Sequence, residues 1–256
     1  MNNSASFANE NDEDKQVFMD VNGRPIYFSE DWNVGIGGGL WSTGKALSFY
    51  FANHAEQLSS NLMKLKAPCK QTSGPGVSAL ELGSGNGFLS IVLAAALKEQ
   101  GYIGIDELVV TDFADHLPLI SRTVEANSHI FTDKSDDIIT STQCKNCQMH
   151  VVEHQWGVES VEPVLLDKKF DFIFGSDLAY RDSLHAPLIA SLNMFSHSHT
   201  ISLIGVTMVD TTPSFFTALE KAGFCFERLA DGLLDPQFRG GTFGIIAIQK
   251  KCVANM

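Results

Sequence analysis

The segment VSALELGSGNGFLSIVLAAAL, residues 77–97, constrains this chain of 256 residues more than any other. VSALEL has the length and apolar character of a buried strand, and the apolar run that follows is long enough for a helix. Between them Gly83, Gly85 and Gly87 allow the backbone to turn tightly, and the N–H groups at the helix start stay free to bind a ligand. The same strand-then-helix pattern recurs in ELVVT (107–111) with ADHLPLISRTVEAN (114–127), in KFDFIFGS (169–176) with HAPLIASLNMF, and in TISLIGVTMV (200–209) with TPSFFTALEKAG. MHVVEH adds a further strand, and FCFERLA and TFGIIAIQKK are expected to pair antiparallel at the sheet edge. Such alternation predicts an α/β fold, a mostly parallel sheet with helices on both faces.

Upstream, VFMDVNGRPIYFSED alternates apolar and polar residues around Asn22-Gly23 and predicts a hairpin. Four glycines between Gly35 and Gly39 then lead into a helical pattern carrying Leu40, Leu47, Tyr50 and Phe51. Residues 66–76 gather Pro, Gly, Ser and Thr and read as a loop. Residues 1–15, rich in Asn, Ser and acids, have the composition of a disordered tail. The expected organisation is that tail followed by one domain, 16–256, with the hairpin and first helix as its N-terminal extension.

The formal charge of −12, with 18 basic against 30 acidic residues, gives no field to attract phosphate backbones, so a nucleic-acid substrate is disfavoured. The same balance attracts a lysine-bearing protein surface, or serves solubility alone. Five scattered cysteines, an odd number in a chain of this size, fit a reducing compartment. The polar, acidic start is no signal peptide, and no apolar run reaches the roughly 20 residues of a membrane span. The expectation is a cytoplasmic monomer with no membrane partner.

Ligands of such sheets lie at the carboxyl ends of the strands. Glu81 precedes a GxGxG turn formed by Gly83, Ser84 and Gly85, and an acid there suits a cation better than a pyrophosphate. Asp112 closes the next strand, where a carboxylate can accept the hydroxyls of a ribose or cap the following helix. Trp156 can pack on an adenine ring or within the protein. Ser176 and Asp177 end the fourth strand; Asp177 and Tyr180, spaced DxxY, can orient or desolvate a nucleophile, or Asp177 can simply cap a helix. Residues 128–150 contain Cys144, Cys147 and His150, with His154 beyond; one CxxC without a second pair reads as a surface loop rather than a zinc site.

In this order LWSTGKALSFYF, ELGSGNGFLSIVLAAAL, VVTDFADHLPLISRTVEAN, the Trp-Gly of HQWG and FDFIFGSDLAYRDSLHAPL resemble family 16 of the seven-strand protein-lysine methyltransferases. The resemblance implies a Rossmann-like seven-stranded sheet with an antiparallel last strand, and S-adenosylmethionine as cofactor. It implies that Trp41, the Gly83–Gly85 backbone, Asp112, Trp156 and Ser176 contact that cofactor and that Asp177 and Tyr180 belong to the family's DxxY signature, which makes them the candidates for holding the acceptor amine. Ser176 stands where the family often has alanine, Ala179 replaces a larger apolar residue, and residues 128–150 lengthen one connection. The opening GGxLW and TDFADHLPLI look most like members acting on translation elongation factors, which makes elongation factor 1A the expected acceptor. A small-molecule or RNA methyltransferase, or a non-catalytic binding protein on the same fold, are the alternatives.

Overall fold

The structure, a computed structural model, describes residues 16–66, 77–98, 105–131 and 147–251. The expected tail, nearly all of the 66–76 loop, and Cys144 with most of the lengthened connection lie outside the described residues. The first described element is the expected hairpin, β1 (Val17–Val21) and β2 (Arg24–Tyr27), paired antiparallel. Asn22 and Gly23 turn it, both with positive φ, and the Gly23 N–H donates to Asp20.

Residues 31–41 then form an irregular segment that leads into α1 (Ser42–Asn53) and α2 (Ala55–Lys66). The sequence pattern suggests one continuous helix, but the structure breaks it at His54, whose ring nitrogen bonds the Leu233 carbonyl 2.9 Å away. The backbone bonds continue across it, His54 N–H to the Tyr50 carbonyl and Leu58 N–H to the His54 carbonyl, so the break is a local bend at His54.

The central sheet contains β3 (Val77–Glu81), β4 (Ile105–Asp112), β5 (Gln148–Glu153), β6 (Phe170–Ser176), β7 (Ser196–Thr207), β8 (Phe224–Arg228) and β9 (Phe243–Lys250). Its order is β5-β4-β3-β6-β7-β9-β8. β9 runs antiparallel to both β7 and β8, so the closing strand lies inside the sheet and β8 takes the edge. The helices are α3 (Phe88–Leu97), α4 (Leu117–Ala126), α5 (Asp182–Phe195) and α6 (Pro213–Lys221).

The period of two in the strands divides the core between the faces. On β3, Val77 and Ala79 join the layer of α1 and α3, whereas Leu80 packs on the opposite face with α5 and α6. On β4, Leu108 and Val110 take the first face and Val109 the second. Every residue of α3 is buried, which its apolar circumference requires: it lies between the sheet, the hairpin and α1.

The chain runs outward from β3 through β4 to β5, then returns to β6 on the other side of β3. This reversal leaves a crevice at the carboxyl ends of β3 and β6, the place where open parallel sheets bind ligands. Among the described residues no helix is long and apolar enough to cross a membrane.

Candidate active site at the carboxyl edge of the sheet

The turn after β3 is built from glycines because its backbone passes through left-handed conformations. Gly83 and Gly85 have φ of 59° and 65°, a region that costs other L-residues about 1–2 kcal/mol. Space is also absent. A Cβ on Gly83 would lie 2.6 Å from the Trp156 ring and 2.9 Å from Leu178, and one on Gly85 would lie 2.7 Å from the Gly37 carbonyl oxygen. Gly87, also left-handed, then starts α3.

Asp112 ends β4 beside this turn. Its carboxylate accepts the Gly85 N–H at 2.7 Å and the Phe113 N–H at 2.7 Å, and His116 Nδ1 lies 3.6 Å away. Burial raises the Asp112 pKa, an effect that those two N–H donors oppose. The structure therefore joins the two motifs that the sequence places 27 residues apart.

Glu81 behaves differently from the expectation that its charge faces the ligand. Its side chain is buried and turned toward α3, where it accepts the Ser90 hydroxyl. Desolvation pushes its pKa up to about 8, so at neutral pH it is mainly a neutral acid. Any attraction for a cation then depends on its ionising when one arrives.

Trp156 follows β5 and lies half-buried over Gly83. Its loop is held by Ser191 of α5, whose hydroxyl accepts the Gly157 N–H at 2.9 Å and lies 2.9 Å from His154 Nε2. The His154 ring is buried edge-on to Phe195, and burial pushes its pKa down to about 4. His154, two residues ahead of the tryptophan, is thus a buried, neutral ring joined to Gly157 through the Ser191 hydroxyl. Among the described residues no group of His, Cys, Asp and Glu is arranged to hold a metal ion.

Ser176 and Asp177 leave β6 on the other side of the crevice. Asp177 has a φ of 55° and accepts the hydroxyls of Thr43 on α1 and Thr207 on β7. Burial raises its pKa while both hydroxyls oppose that rise. Ser176 faces α1, close enough that a Cβ on Gly44 would lie 3.2 Å from its Oγ. Tyr180 is 38% exposed, with the Arg181 guanidinium 5.2 Å from the centre of its ring.

Segment 31–41 lies across the glycine turn as a strap. The Asn86 side-chain amide donates to the Gly39 carbonyl at 2.8 Å, Arg122 of α4 pairs with Asp31 at 2.6 Å, and Gly37 packs on Gly85 and His116. Trp41 sits at its end, its indole N–H donating to the Ile36 carbonyl at 2.9 Å. Thr43, Thr207 and Asn86 had no prominence in the sequence. For Asn86 a signal existed, since Asn favours turns by bonding the backbone two residues on, and its Oδ1 does accept the Phe88 N–H just ahead of α3. Phe113 was also passed over; it stands 54% exposed beside Asp112.

Glu81 and His154 shape the pH dependence of stability in opposite senses. The folded pKa of Glu81, about 8, exceeds its unfolded value, so its contribution is complete in acid and is lost as pH rises toward 8. The folded pKa of His154, about 4, lies below its unfolded value, so its contribution is complete above about pH 6.5 and is lost as pH falls. Urea denaturation across pH 4.5–8 is expected to show Glu81→Gln flattening the alkaline fall and His154→Gln flattening the acid fall. Parallel curves for wild type and variants would refute both assignments.

A seven-stranded sheet of this order, with an antiparallel last strand, a glycine turn after the first central strand and a carboxylate closing the next, defines the class I methyltransferase fold. A solved structure described as a class I S-adenosylmethionine-dependent methyltransferase of Listeria monocytogenes superposes with a TM-score of 0.50 at 12% identity, covering 87% of this chain and 66% of that one. The ribosomal protein L11 methylase of Lactobacillus delbrueckii subsp. bulgaricus gives a TM-score of 0.44 at 16% identity, over 76% of this chain and 79% of that one. The lysine methyltransferase family profile matches residues 21–222, so the chain belongs to that family, whose methyl donor is S-adenosylmethionine and whose acceptor is a protein lysine. Protein N-lysine methyltransferase METTL21A of Mus musculus is similar, 26% identical over 202 residues that span 77% of this chain and 73% of the relative.

Proposed function

We propose that the crevice binds S-adenosylmethionine through the Gly83–Ser84–Gly85 backbone, Asp112, Trp156, Trp41 and Ser176, with Glu81 beneath the turn, and that it methylates a lysine of elongation factor 1A. The observation that carries the cofactor assignment is the bond between the Gly85 N–H and the Asp112 carboxylate, which sets an acceptor for ribose hydroxyls beside a turn whose glycines leave the backbone open. The groups present fit that cofactor chemically: a carboxylate for the ribose, an indole over Gly83 for the adenine, and a buried acid able to ionise near a cation. When bound, S-adenosylmethionine supplies an electrophilic methyl group on a sulfonium.

The residues of the chain must then deliver a neutral amine. A lysine ammonium loses its proton more readily where it is desolvated, and a fixed carboxylate opposes that loss. Asp177, locked between Thr43 and Thr207, therefore holds and aims the amine rather than acting as the base that removes its proton. Tyr180 completes the DxxY pair at the mouth. We further propose that the enzyme acts as a monomer in the cytoplasm, which suits the scattered cysteines; Cys147 and Cys225 are both free thiols.

The test is transfer of tritiated methyl from S-adenosylmethionine to purified elongation factor 1A, with sites mapped by mass spectrometry. Label on one of its lysines is the expected result. No label on it, alongside label on another protein of the same extract, would reject elongation factor 1A while leaving the enzyme class intact.

A further inference from the structure

The strap spends its inner face on backbone contact. Gly37 lies on Gly85 and His116, a Cβ on Gly38 would strike the Asp31 carbonyl, and one on Gly39 would strike the Trp32 ring. Its large apolar side chains consequently point outward: Trp32 is 57% exposed and Ile36 is 55% exposed. Trp32 stands edge-on to Trp41, the ring centres 6.1 Å apart. Both indole N–H groups are already satisfied, that of Trp32 by Glu30 just ahead of the strap at 3.0 Å and that of Trp41 by the Ile36 carbonyl. What remains on the surface is hydrocarbon, on a residue type that dominates binding energy at protein interfaces.

Beside this ridge opens a cavity of about 370 Å³ whose wall includes Phe18, Phe28, Leu40, Glu30 and Lys45. Charge distinguishes the possible occupants. Glu30 is exposed at the junction of ridge and cavity, Asp115 is exposed next to His116, and the charge of the nearby Arg122 is matched by Asp31. Lys45 lies over the Phe18 ring and is the one basic group in the cavity wall among the described residues. A ridge of exposed rings with an acidic border, on a chain carrying −12, complements a basic surface.

We propose that the outer face of the strap, Trp32 and Ile36 with Glu30 at their edge, is the docking surface for the acceptor protein, and that it takes a Lys- or Arg-rich patch flanking the target lysine. The inference rests on the chain being a protein-lysine methyltransferase and does not depend on which acceptor it uses. Its logic is division of labour within one short segment: the glycines of the strap cover the cofactor turn while its side chains meet the partner. Docking there brings the acceptor against the crevice without any of these side chains touching the methyl-transfer chemistry.

The experiment compares wild type, Trp32→Ala/Ile36→Ala and Glu30→Gln in tritiated methyl transfer to a dilution series of cell lysate, alongside calorimetry with S-adenosylmethionine and light scattering. The double variant is expected to bind the cofactor as wild type does, to need at least 10-fold more lysate for half-maximal labelling, and to reach the same plateau. Glu30→Gln is expected to give a smaller shift that disappears at high salt. Coincident labelling curves would overturn the proposal, as would a plateau that falls while half-saturation stays fixed. Loss of cofactor binding by the double variant would assign these side chains to the cofactor instead. A wild-type dimer that the variant dissociates would make a second copy the occupant. If wild type labelled no protein at all, the protein-acceptor reading itself would fail, a result distinct from any of these.

Discussion

Gly85→Val is expected to abolish measurable binding of S-adenosylmethionine, weakening it by at least about 100-fold. Two costs combine at this position. A β-branched residue at φ 65° pays the left-handed penalty of about 1–2 kcal/mol, and its Cβ would lie 2.7 Å from the Gly37 carbonyl oxygen, a backbone atom that can yield only if the strap moves. Relief by shifting the turn would draw the Gly85 N–H away from Asp112 and so disturb the carboxylate as well. Gly23→Ala separates the two costs. Gly23 also has positive φ, 75°, but nothing lies within 4 Å of its would-be Cβ. It should lose roughly 1 kcal/mol of stability, or about 2–4 °C in melting temperature, with cofactor binding intact. Calorimetric titration of Gly85→Val giving the wild-type affinity would remove the glycine turn from the cofactor site.

Asp177→Ala should separate binding from transfer. The carboxylate lies on the opposite side of the crevice from Asp112, held by hydroxyls of α1 and β7, and our reading gives it the amine rather than the cofactor. Transfer is therefore expected to slow by on the order of 100-fold, about 2.7 kcal/mol in barrier, while cofactor affinity changes less than about twofold. Asp177→Asn keeps an acceptor of the same shape and should recover part of the rate. Thr43 and Thr207 lose a partner in the alanine variant, so thermal melts must accompany the rates. Full methylation by a correctly folded Asp177→Ala enzyme would rule out its positioning role.

The architecture was legible in the sequence because strand and helix alternation is written in local hydrophobic pattern. β3 to β6, α3 to α6 and the hairpin at Asn22-Gly23 all stand where that pattern places them, within a few residues at the ends. What escaped was set by contacts between distant residues. The bend between α1 and α2 falls where His54 reaches the Leu233 carbonyl, 179 residues away, and the insertion of β9 between β7 and β8 depends on pairing choices that two apolar segments do not announce.

The same division applies to the site. Gly83, Gly85 and Asp112 stand out by type and position along the chain, and the fold brings them into contact. The neutral state of Glu81 is illegible locally, because it arises from burial against α3. The support of Asp177 by Thr43 spans 134 residues, and no local pattern marks either partner for the other. His154 ends a segment that reads as a strand, and nothing local announces that its ring is buried against Phe195 and tied through Ser191 to the Trp156 loop.

The chain contains three tryptophans, and all three lie on the strap or on the glycine turn that it covers: Trp32 and Trp41 on the strap, Trp156 over Gly83. Its ultraviolet emission is therefore a local optical gauge, blind to the far edge formed by β8 and α6. An emission change on adding ligand would report this one corner of the molecule, while circular dichroism would be needed to see the sheet melt.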